Sequence, residues 1–525
     1  ASFRGLVATS AEHGMVLRSG DITSAYLHAS IDKEIYMDSF RHADKIMPEM
    51  FDGSRREFLH LQKALWGCKQ SGLLFYQCLR KDLIERLQFT PSDGDRCMYM
   101  RATGPDGAVI PNYDINENRE GVKVIMLLTY VDDLGAACTD DETWKGFVKE
   151  VQEQFQLRDD GVLTDFLGIE IDYPESGGVK LSHPSKIDRI VEACKIAKPD
   201  GKIPFKDRPL PAGTQYPPGE FDEIEYTDAE NEVLSKFDVR AIVGMILHTY
   251  VQCRPDIGPA IGHLCRHVNK PRHLSDKVEE SHIEGLKHIA KYLAATRNHG
   301  LHYVRGTERE VDIYVDADYA ECRTTRKSIS GWCVMMSGAA IAWGSKKQSF
   351  ISMSSTEAEL GALRDVAAEA LALRKDMIIL DPMLAGKRWR IWEDNQACIA
   401  IAQGKGSYEK RKHMAVRALW FQSLIGDVLD IFYINTHEQV ADCLTKCLDS
   451  IKVAKFRSLL LNDGVHVHQN QRCPSARAYT RSLLAPAKVG PVAPVYTGVV
   501  PERRPVARAA HTYNLPSTTT TPGLT

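Results

Sequence analysis

Apolar residues in the early part of the chain recur at helical spacing or in strand-like runs. Between Leu73 and Leu87 they repeat close to every 3.6 residues, which predicts a helix. Residues 103–122 are polar and rich in turn-forming types, so we expect a surface loop there. The β-branched and apolar run Val122–Tyr130 predicts a strand, and Leu134–Cys138 predicts a second strand after a tight turn.

The pattern becomes more helical between about residues 174 and 307, where Ser275–Thr296 predicts an amphipathic helix. Within this stretch, Lys202–Gly219 is a proline-rich link. A block of alternating strands and helices then runs from about Val311 to Leu461. Residues 485–525 hold seven prolines and only one acid, which predicts a disordered tail.

Composition narrows the class of protein. A chain of 525 residues with 43% hydrophobic and 26% charged content is typical of a globular protein of about two to four domains. No apolar run reaches membrane-spanning length and no secretory signal is evident, so we expect no membrane partner. Thirteen irregularly spaced cysteines predict reduced thiols inside a cell. The net charge of −3 gives no indication of a nucleic-acid partner. The chain starts with Ala1 and not with Met, which suggests a fragment.

A first group of acids lies where predicted strands end. Asp132 and Asp133 follow an apolar strand at the tip of a hairpin, and Asp21 ends an earlier strand. Adjacent acids repel each other unless something neutralises them. Carboxylates are also the hard ligands that hold Mg²⁺ against phosphates. An isolated Asp-Asp pair more often marks an ordinary turn, so the pattern alone leaves both interpretations open.

A second group of acids occurs in the later strand-and-helix block. Asp316 and Asp318 end one predicted strand, and Asp394 ends another. Glu359 shares a helical stripe with apolar residues, so it faces inward, whereas Glu357 fits a capping box with Ser354. Asp442 stands at a helix start, where an aspartate is usually only a cap. An acid on the inward face of a helix needs a compensating partner, and a bound metal ion is one such partner for Glu359.

Several motifs carry a family resemblance, in order from about residue 4 to 461. The most specific are Tyr130-Val131-Asp132-Asp133, the segment Asp21–Tyr26, and the box Leu61–Gln70. They resemble the reverse transcriptases of copia-type retrotransposons. The later acids are similar to the ribonuclease H pattern of the same family: Asp-Ala-Asp, Ser-Thr-x-Glu-Ala-Glu, Asp-Asn-Gln and Ala-Asp-x-Leu-Thr-Lys.

The resemblance implies a multidomain protein of the α/β and α+β classes. We expect a right-hand polymerase palm, with an antiparallel sheet and helices, in an N-terminally truncated fingers and palm region at 1–175. A helical thumb or connection would occupy 176–307. A ribonuclease H-like α/β domain would follow at 308–463, and a disordered tail would occupy 464–525.

The resemblance also implies the site residues and their ligands. Each active site would hold two Mg²⁺ or Mn²⁺ ions, and Asp316 is preferred over Asp318 because it matches the family motif. Tyr26 would select deoxynucleotides, with Lys69 and Gln70 beside the nucleotide. Without the resemblance, Tyr26 could also be a core aromatic, and a Lys-Gln pair is more often a solvated helix start. The partners would be an RNA template, a DNA primer, an RNA–DNA hybrid and deoxynucleoside triphosphates. The metal ligands and catalytic residues would be Asp21, Asp132, Asp133, Asp316, Glu359, Asp394 and Asp442.

Two departures from the family pattern support a second hypothesis. The basic finger residues expected upstream are absent, and Ser71-Gly72-Leu73 replaces the usual Ala-Pro-Arg. The alternative is therefore a truncated remnant that binds nucleic acid or retains only ribonuclease H activity. In either case we expect an intracellular location, in a cytoplasmic particle or the nucleus. The sequence leaves the oligomeric state open.

Overall fold

A computed structural model describes residues 1–38, 58–214, 226–269, 271, 281–306, 310–322, 325–405 and 418–463. The expected tail, 464–525, lies outside the described residues, as does the start of the helix predicted at Ser275. The described residues all fall within one compact unit, Ala1–Val467. None of their helices combines the length and the apolar character needed to cross a bilayer. The fold is mixed α/β with antiparallel sheets.

The first part of the chain is built on a six-stranded antiparallel sheet of order β4-β5-β6-β7-β1-β8. Strands β2 and β3 form a separate hairpin. The elements are α1 (Ser2–His13), β1 (Val16–Ile22), β2 (Tyr36–Asp38), β3 (Phe58–His60), α2 (Ser71–Lys81), β4 (Thr90–Pro91), β5 (Met98–Thr103), β6 (Lys123–Tyr130), β7 (Asp133–Cys138), α3 (Asp141–Gln152) and β8 (Leu157–Val162).

Both faces of this sheet are buried, which explains why β6 is apolar without alternation. Its residues Val124, Met126 and Leu128 point into one core, whereas Ile125 and Leu127 point into the other. Successive side chains of a strand point to opposite faces, so a strand covered on both sides needs a continuous apolar run. The predicted strand over Val122–Tyr130 is thereby confirmed.

The middle of the chain combines a small antiparallel sheet, of order β12-β11-β10-β9, with several helices. The predicted helical character of this stretch is confirmed, and α8 begins at His282 with Ser281 as its N-cap. The elements are β9 (Asp165–Phe166), β10 (Ile169–Asp172), β11 (Val179–Ser182), α4 (Pro184–Cys194), α5 (Asp228–Lys236), α6 (Val239–Gln252), α7 (Gly258–Cys265), α8 (His282–Ala295) and β12 (Leu301–Tyr303).

The last part is a five-stranded mixed sheet of order β15-β14-β13-β16-β17. The first three strands are antiparallel to one another, whereas β13, β16 and β17 run parallel. Helix α9 packs against β13 and β14. The elements are β13 (Asp312–Asp318), β14 (Ile329–Met336), β15 (Ala339–Lys347), α9 (Ser355–Leu380), β16 (Trp389–Glu393), α10 (Gln396–Ala402), β17 (Leu429–Tyr433), α11 (Asp442–Thr445) and α12 (Ser450–Leu461).

The structure shifts the bounds of one predicted element and adds detail to another. The helix predicted over Leu73–Leu87 begins earlier, at Ser71, and its last turn, Asp82–Arg86, has π-helical hydrogen bonding. The loop at 103–122 contains a short 3-10 helix, Ile115–Glu117, capped by the Asp114 carboxylate. Capping is a local side-chain event that hydrophobic periodicity does not report.

Candidate active sites

The backbone of the six-stranded sheet brings the first acid group to one sheet end. Asp21 on β1 lies directly opposite Asp133 on β7, and Asp133 pairs with Tyr130 across the hairpin. The N–H of Ile22 donates to the carbonyl of Asp132 over 2.9 Å. Val131 in the turn has a φ of 57°, a left-handed conformation that a β-branched residue rarely adopts. The pairing of β6 with β7 on either side of this turn holds Val131 in its strained conformation.

The charges of this first group are crowded but solvent-accessible. Burial, followed by the charges of Asp132 and Asp21, raises the pKa of Asp133. The guanidinium of Arg158 lies 3.6 Å from the Asp21 carboxylate and offsets part of the charge. Among the described residues, these three acids do not form a group with ligand atoms within 4.8 Å of one another. The ligand atoms of Asp21, Asp132 and Asp133 are therefore more widely spaced than those of a compact metal-binding group.

The predicted nucleotide-binding residues lie on the 3-10 helix after β1 and at the start of α2, and these two helices contact each other. Tyr26 is half-buried on a 3-10 helix, Ala25–His28, which follows the strand that carries Asp21. Its ring centroid lies 5.8 Å from that of exposed Trp66 and 6.4 Å from that of Phe75 on α2. Lys69 is exposed and Gln70 is the N-cap residue of α2. Tyr26 is therefore neither fully buried nor isolated at the surface.

The second acid group converges at the end of the mixed sheet. Residues Asp312–Tyr314 of β13 pair in parallel with Arg390–Trp392 of β16, so both strands end at the same edge. Asp316 on β13, Asp394 just after β16 and Glu359 on α9 have ligand atoms within 4.8 Å of one another. Asp318 is not in this group, and burial raises its pKa to about 6.

Asp442 lies beside this group but is not one of its three members. It is the first residue of α11, and its Oδ1 is 3.0 Å from the Nζ of Lys446. The same Nζ lies 3.3 Å from Oδ2 of Asp316, which also accepts the hydroxyl of Thr445. Lysine therefore stands between two of the four predicted ligands.

Burial makes the second group costly without a cation. Asp316 is 3% exposed and Glu359 is 6% exposed, and Glu359 Oε2 has no hydrogen-bond partner among the described residues. Burial, then the charges of Glu393 and Asp316, raises the pKa of Glu359 well above its usual range. Burial and the charge of Asp316 raise the pKa of Asp442 to about 6. Hard oxygen atoms in this arrangement fit Mg²⁺ or Mn²⁺.

The sequence analysis assigned no role to Glu393 or Lys446. Glu393 ends β16, is fully buried, and accepts the N–H of Asn395 over 3.0 Å. Burial raises its pKa strongly. The available signals were an acid directly before Asp394 and a lysine four residues after Asp442, which places it on the same helical face.

Glu357 has the structural task that its spacing indicates, with one difference. The hydroxyl of Ser354 accepts the N–H of Glu357 over 3.2 Å, as in a capping box. The Glu357 carboxylate accepts the N–H of Met353 over 2.8 Å. It therefore secures the loop before α9, and Glu359 is left to face the acid group.

Two solved ribonuclease H structures match the chain weakly. One is the N-terminal RNase H domain of a Mycobacterium tuberculosis protein, at 12% identity over 28% of this chain and 96% of that chain. The other is LC11-RNase H1, isolated from compost, at 15% identity over 28% of this chain and 98% of that chain. Both have a TM-score of 0.21, which is too low to support a conclusion.

Sequence relatives give a clearer result. Residues 1–205 match the family described as reverse transcriptase (RNA-dependent DNA polymerase). The Pol polyprotein from transposon TNT 1-94 of Nicotiana tabacum is 27% identical over 89% of this chain and 32% of its own length. That from transposon RE1 of Arabidopsis thaliana is 25% identical over 87% of this chain and 28% of its length. The chain thus spans about a third of these relatives. Residues 1–205 are thus similar to the reverse transcriptase family, and the resemblance of the chain to copia-type retrotransposon polyproteins is confirmed.

Proposed function

We propose that the chain is an RNA-directed DNA polymerase joined to a ribonuclease H that degrades the copied RNA. The observation that carries the proposal is the placement of two separate acid groups at strand ends, in a chain whose first 205 residues match the reverse transcriptase family. We divide the chain into fingers and palm at 1–175, thumb or connection at 176–307, and a ribonuclease H-like domain at 308–463.

In the polymerase, Asp21, Asp132 and Asp133 would hold two divalent cations. Bound cations of this kind stabilise the attacking and leaving oxygens of a phosphoryl transfer. Tyr26 would contact the sugar of the deoxynucleoside triphosphate, where its bulk excludes a 2′-hydroxyl. Lys69 and Gln70 would line the nucleotide pocket, and the primer 3′-hydroxyl would approach the exposed acids.

In the nuclease, four carboxylates would hold the cations: Asp316, Glu359, Asp394 and Asp442. The buried Oε2 of Glu359, which has no partner in the described part of the chain, supports this role, because a desolvated carboxylate is costly unless a cation or a proton compensates it. The RNA strand of an RNA–DNA hybrid would lie across the sheet edge where β13 and β16 end.

A second candidate is a protein in which only the nuclease works. The observation that favours it is the contrast between the two acid groups. The later group has ligand atoms within 4.8 Å of one another, whereas the described acids of the first group are more widely spread. The replacement of Ala-Pro-Arg by Ser71-Gly72-Leu73 adds to this contrast.

Two assays on the same protein separate these candidates. The first is DNA-primed extension on an RNA template with Mg²⁺, and the second is cleavage of an RNA–DNA hybrid. We expect Asp132→Asn with Asp133→Asn to abolish extension only, and Asp394→Asn to reduce cleavage by about 100-fold or more. Asp430→Asn on β17 is the matched control, because Asp430 pairs with Arg388 away from the acid group.

The pattern of results decides between the candidates. Cleavage without extension by the unmodified chain would favour the nuclease-only protein. Cleavage that persists in Asp394→Asn would show that the second site is misassigned, and a loss in Asp430→Asn would indicate general damage to the sheet.

A further inference from the structure

Lys446 occupies the space between two carboxylates that the ribonuclease H proposal assigns to metal ions. Its Nζ lies 3.3 Å from Asp316 Oδ2 and 3.0 Å from Asp442 Oδ1. Both aspartates are almost fully buried, with side chains 4% and 5% exposed. A single ammonium thus neutralises part of the charge of two desolvated acids.

Asp316 also lies close to two further acids. Its ligand atoms and those of Glu359 and Asp394 are within 4.8 Å of one another, and Glu359 Oε2 has no partner among the described residues. Three acids are therefore ready to hold one cation as they stand. An ion between Asp316 and Asp442 would instead compete with the ammonium, since two cations sharing one carboxylate repel each other.

We propose that Lys446 is an internal counter-cation that makes the two metal positions unequal. This inference rests on the proposed ribonuclease H function. The first divalent ion binds at Asp316, Glu359 and Asp394, whereas the second binds between Asp316 and Asp442 only when the ammonium of Lys446 moves out.

The side chain has the means to move. Lysine carries a compact charge on four flexible methylene groups, and the Lys446 side chain is 36% exposed, so its ammonium has water nearby. When Lys446 leaves, the hydroxyl of Thr445 still donates to Asp316 and keeps that carboxylate in position. Lys446 is therefore a positioning residue whose role is to keep the acids paired until a second cation arrives.

The test is Mn²⁺ binding to the full chain, measured by titration calorimetry and electron paramagnetic resonance. All samples carry Asp132→Asn with Asp133→Asn, so that the proposed polymerase site does not contribute to the titration. We expect the protein with Lys446 intact to bind one Mn²⁺ tightly and a second more weakly. In Lys446→Met the second site should bind about 10-fold or more tightly, because the competing charge is gone. Without metal, Lys446→Met should have a lower melting temperature than the unmodified protein. Added Mn²⁺ should raise the melting temperature of Lys446→Met by more than it raises that of the unmodified protein.

Matched variants isolate the charge at this position. Lys455→Met removes a lysine of similar exposure that lies 2.8 Å from Glu438 Oε1, outside the acid group, and should leave Mn²⁺ binding unchanged. Lys446→Arg keeps the charge and should keep the second site weak. If Lys446→Met does not fold without metal, Lys446→Gln provides the same comparison with a polar side chain.

The possible failures are distinguishable. A folded Lys446→Met or Lys446→Gln protein whose second Mn²⁺ affinity equals that of the unmodified chain would overturn the role of Lys446 and leave the nuclease intact. If the unmodified chain binds no Mn²⁺, and Asp394→Asn does not change the cleavage of an RNA–DNA hybrid, the ribonuclease H proposal fails and this inference fails with it.

Discussion

Acidic side chains have different properties in the two groups because their surroundings differ. Asp133 is exposed at a hairpin, so water screens much of the repulsion from Asp132 and Asp21. Glu359 is only 6% exposed on α9, so water screens little of the repulsion from Glu393 and Asp316. We therefore expect the second group to depend more strongly on a bound cation for its stability than the first.

Tyr26 provides a test of the polymerase assignment at the scale of one side chain. Its ring lies beside Trp66 and follows the strand that carries Asp21. Replacing it by Ala removes bulk from the position proposed to exclude a 2′-hydroxyl. We expect Tyr26→Ala to increase ribonucleotide over deoxyribonucleotide incorporation by about 10- to 100-fold, measured as a ratio of kcat/KM values.

A matched variant separates selection from folding. Tyr76→Ala truncates a tyrosine on the neighbouring helix α2 and should leave the ratio unchanged. Equal discrimination by Tyr26→Ala and the unmodified enzyme would remove Tyr26 from the nucleotide site.

At the scale of elements, a buried polar network fixes the turn between α6 and α7 to α8. Arg254 is fully buried and donates to both carboxylate oxygens of Asp256, over 2.9 and 2.8 Å. It also donates to the carbonyl and hydroxyl oxygens of Thr296, just beyond α8. The Tyr292 hydroxyl donates to Asp256 over 2.6 Å. Such a network tolerates poorly the loss of one partner, because the other charge stays buried.

Asp256→Asn should therefore lower the free energy of unfolding by about 3–5 kcal/mol. The control is Asp188→Asn, which breaks an exposed pair with Arg297 at 2.6 Å and should cost less than about 1 kcal/mol. Urea denaturation followed by circular dichroism measures both. Similar losses for the two variants would contradict the importance assigned to burial.

At the scale of the whole molecule, α1 connects parts of the chain that are distant in sequence. Arg4 on α1 donates to the carbonyl of Ile341 on β15, over 2.8 Å, and to those of Val251 and Gln252 at the end of α6. Its guanidinium also lies 4.1 Å from the ring centroid of Trp343. The last carbonyls of a helix lack partners within the helix, so a buried arginine is well suited to them.

Arg4→Met removes the guanidinium that connects α1 to α6 and β15, and should therefore lower the free energy of unfolding. We expect it to cost about 3 kcal/mol, because one buried and two partly buried carbonyl hydrogen bonds lose their charged donor. Hydrogen exchange should accelerate at the end of α6 and along β15 more than in β6. Arg18→Met, which removes a partly exposed pair with Asp141, is the control, and equal acceleration in both variants would contradict the prediction.

The local elements, and the acids at their ends, could be predicted from the amino-acid sequence alone. Helix and strand periodicity depends on neighbours a few residues apart, so the strand before Asp132 and the strand that carries Asp316 could be predicted directly. The inward position of Glu359 also followed from helical spacing. The grouping of these acids into two sites came from the family resemblance.

Tertiary packing determines which of these acids lie close together and which side chain lies between them. The parallel register of β13 and β16 brings Asp316 and Asp394 together. Asp442 is not part of that group and forms an ion pair with Lys446. The burial of Glu393, and the contact of Arg4 with a carbonyl 337 residues away, likewise depend on strand order and packing. Local propensity has no access to such contacts, because their free energy depends on how the sheets and helices are assembled.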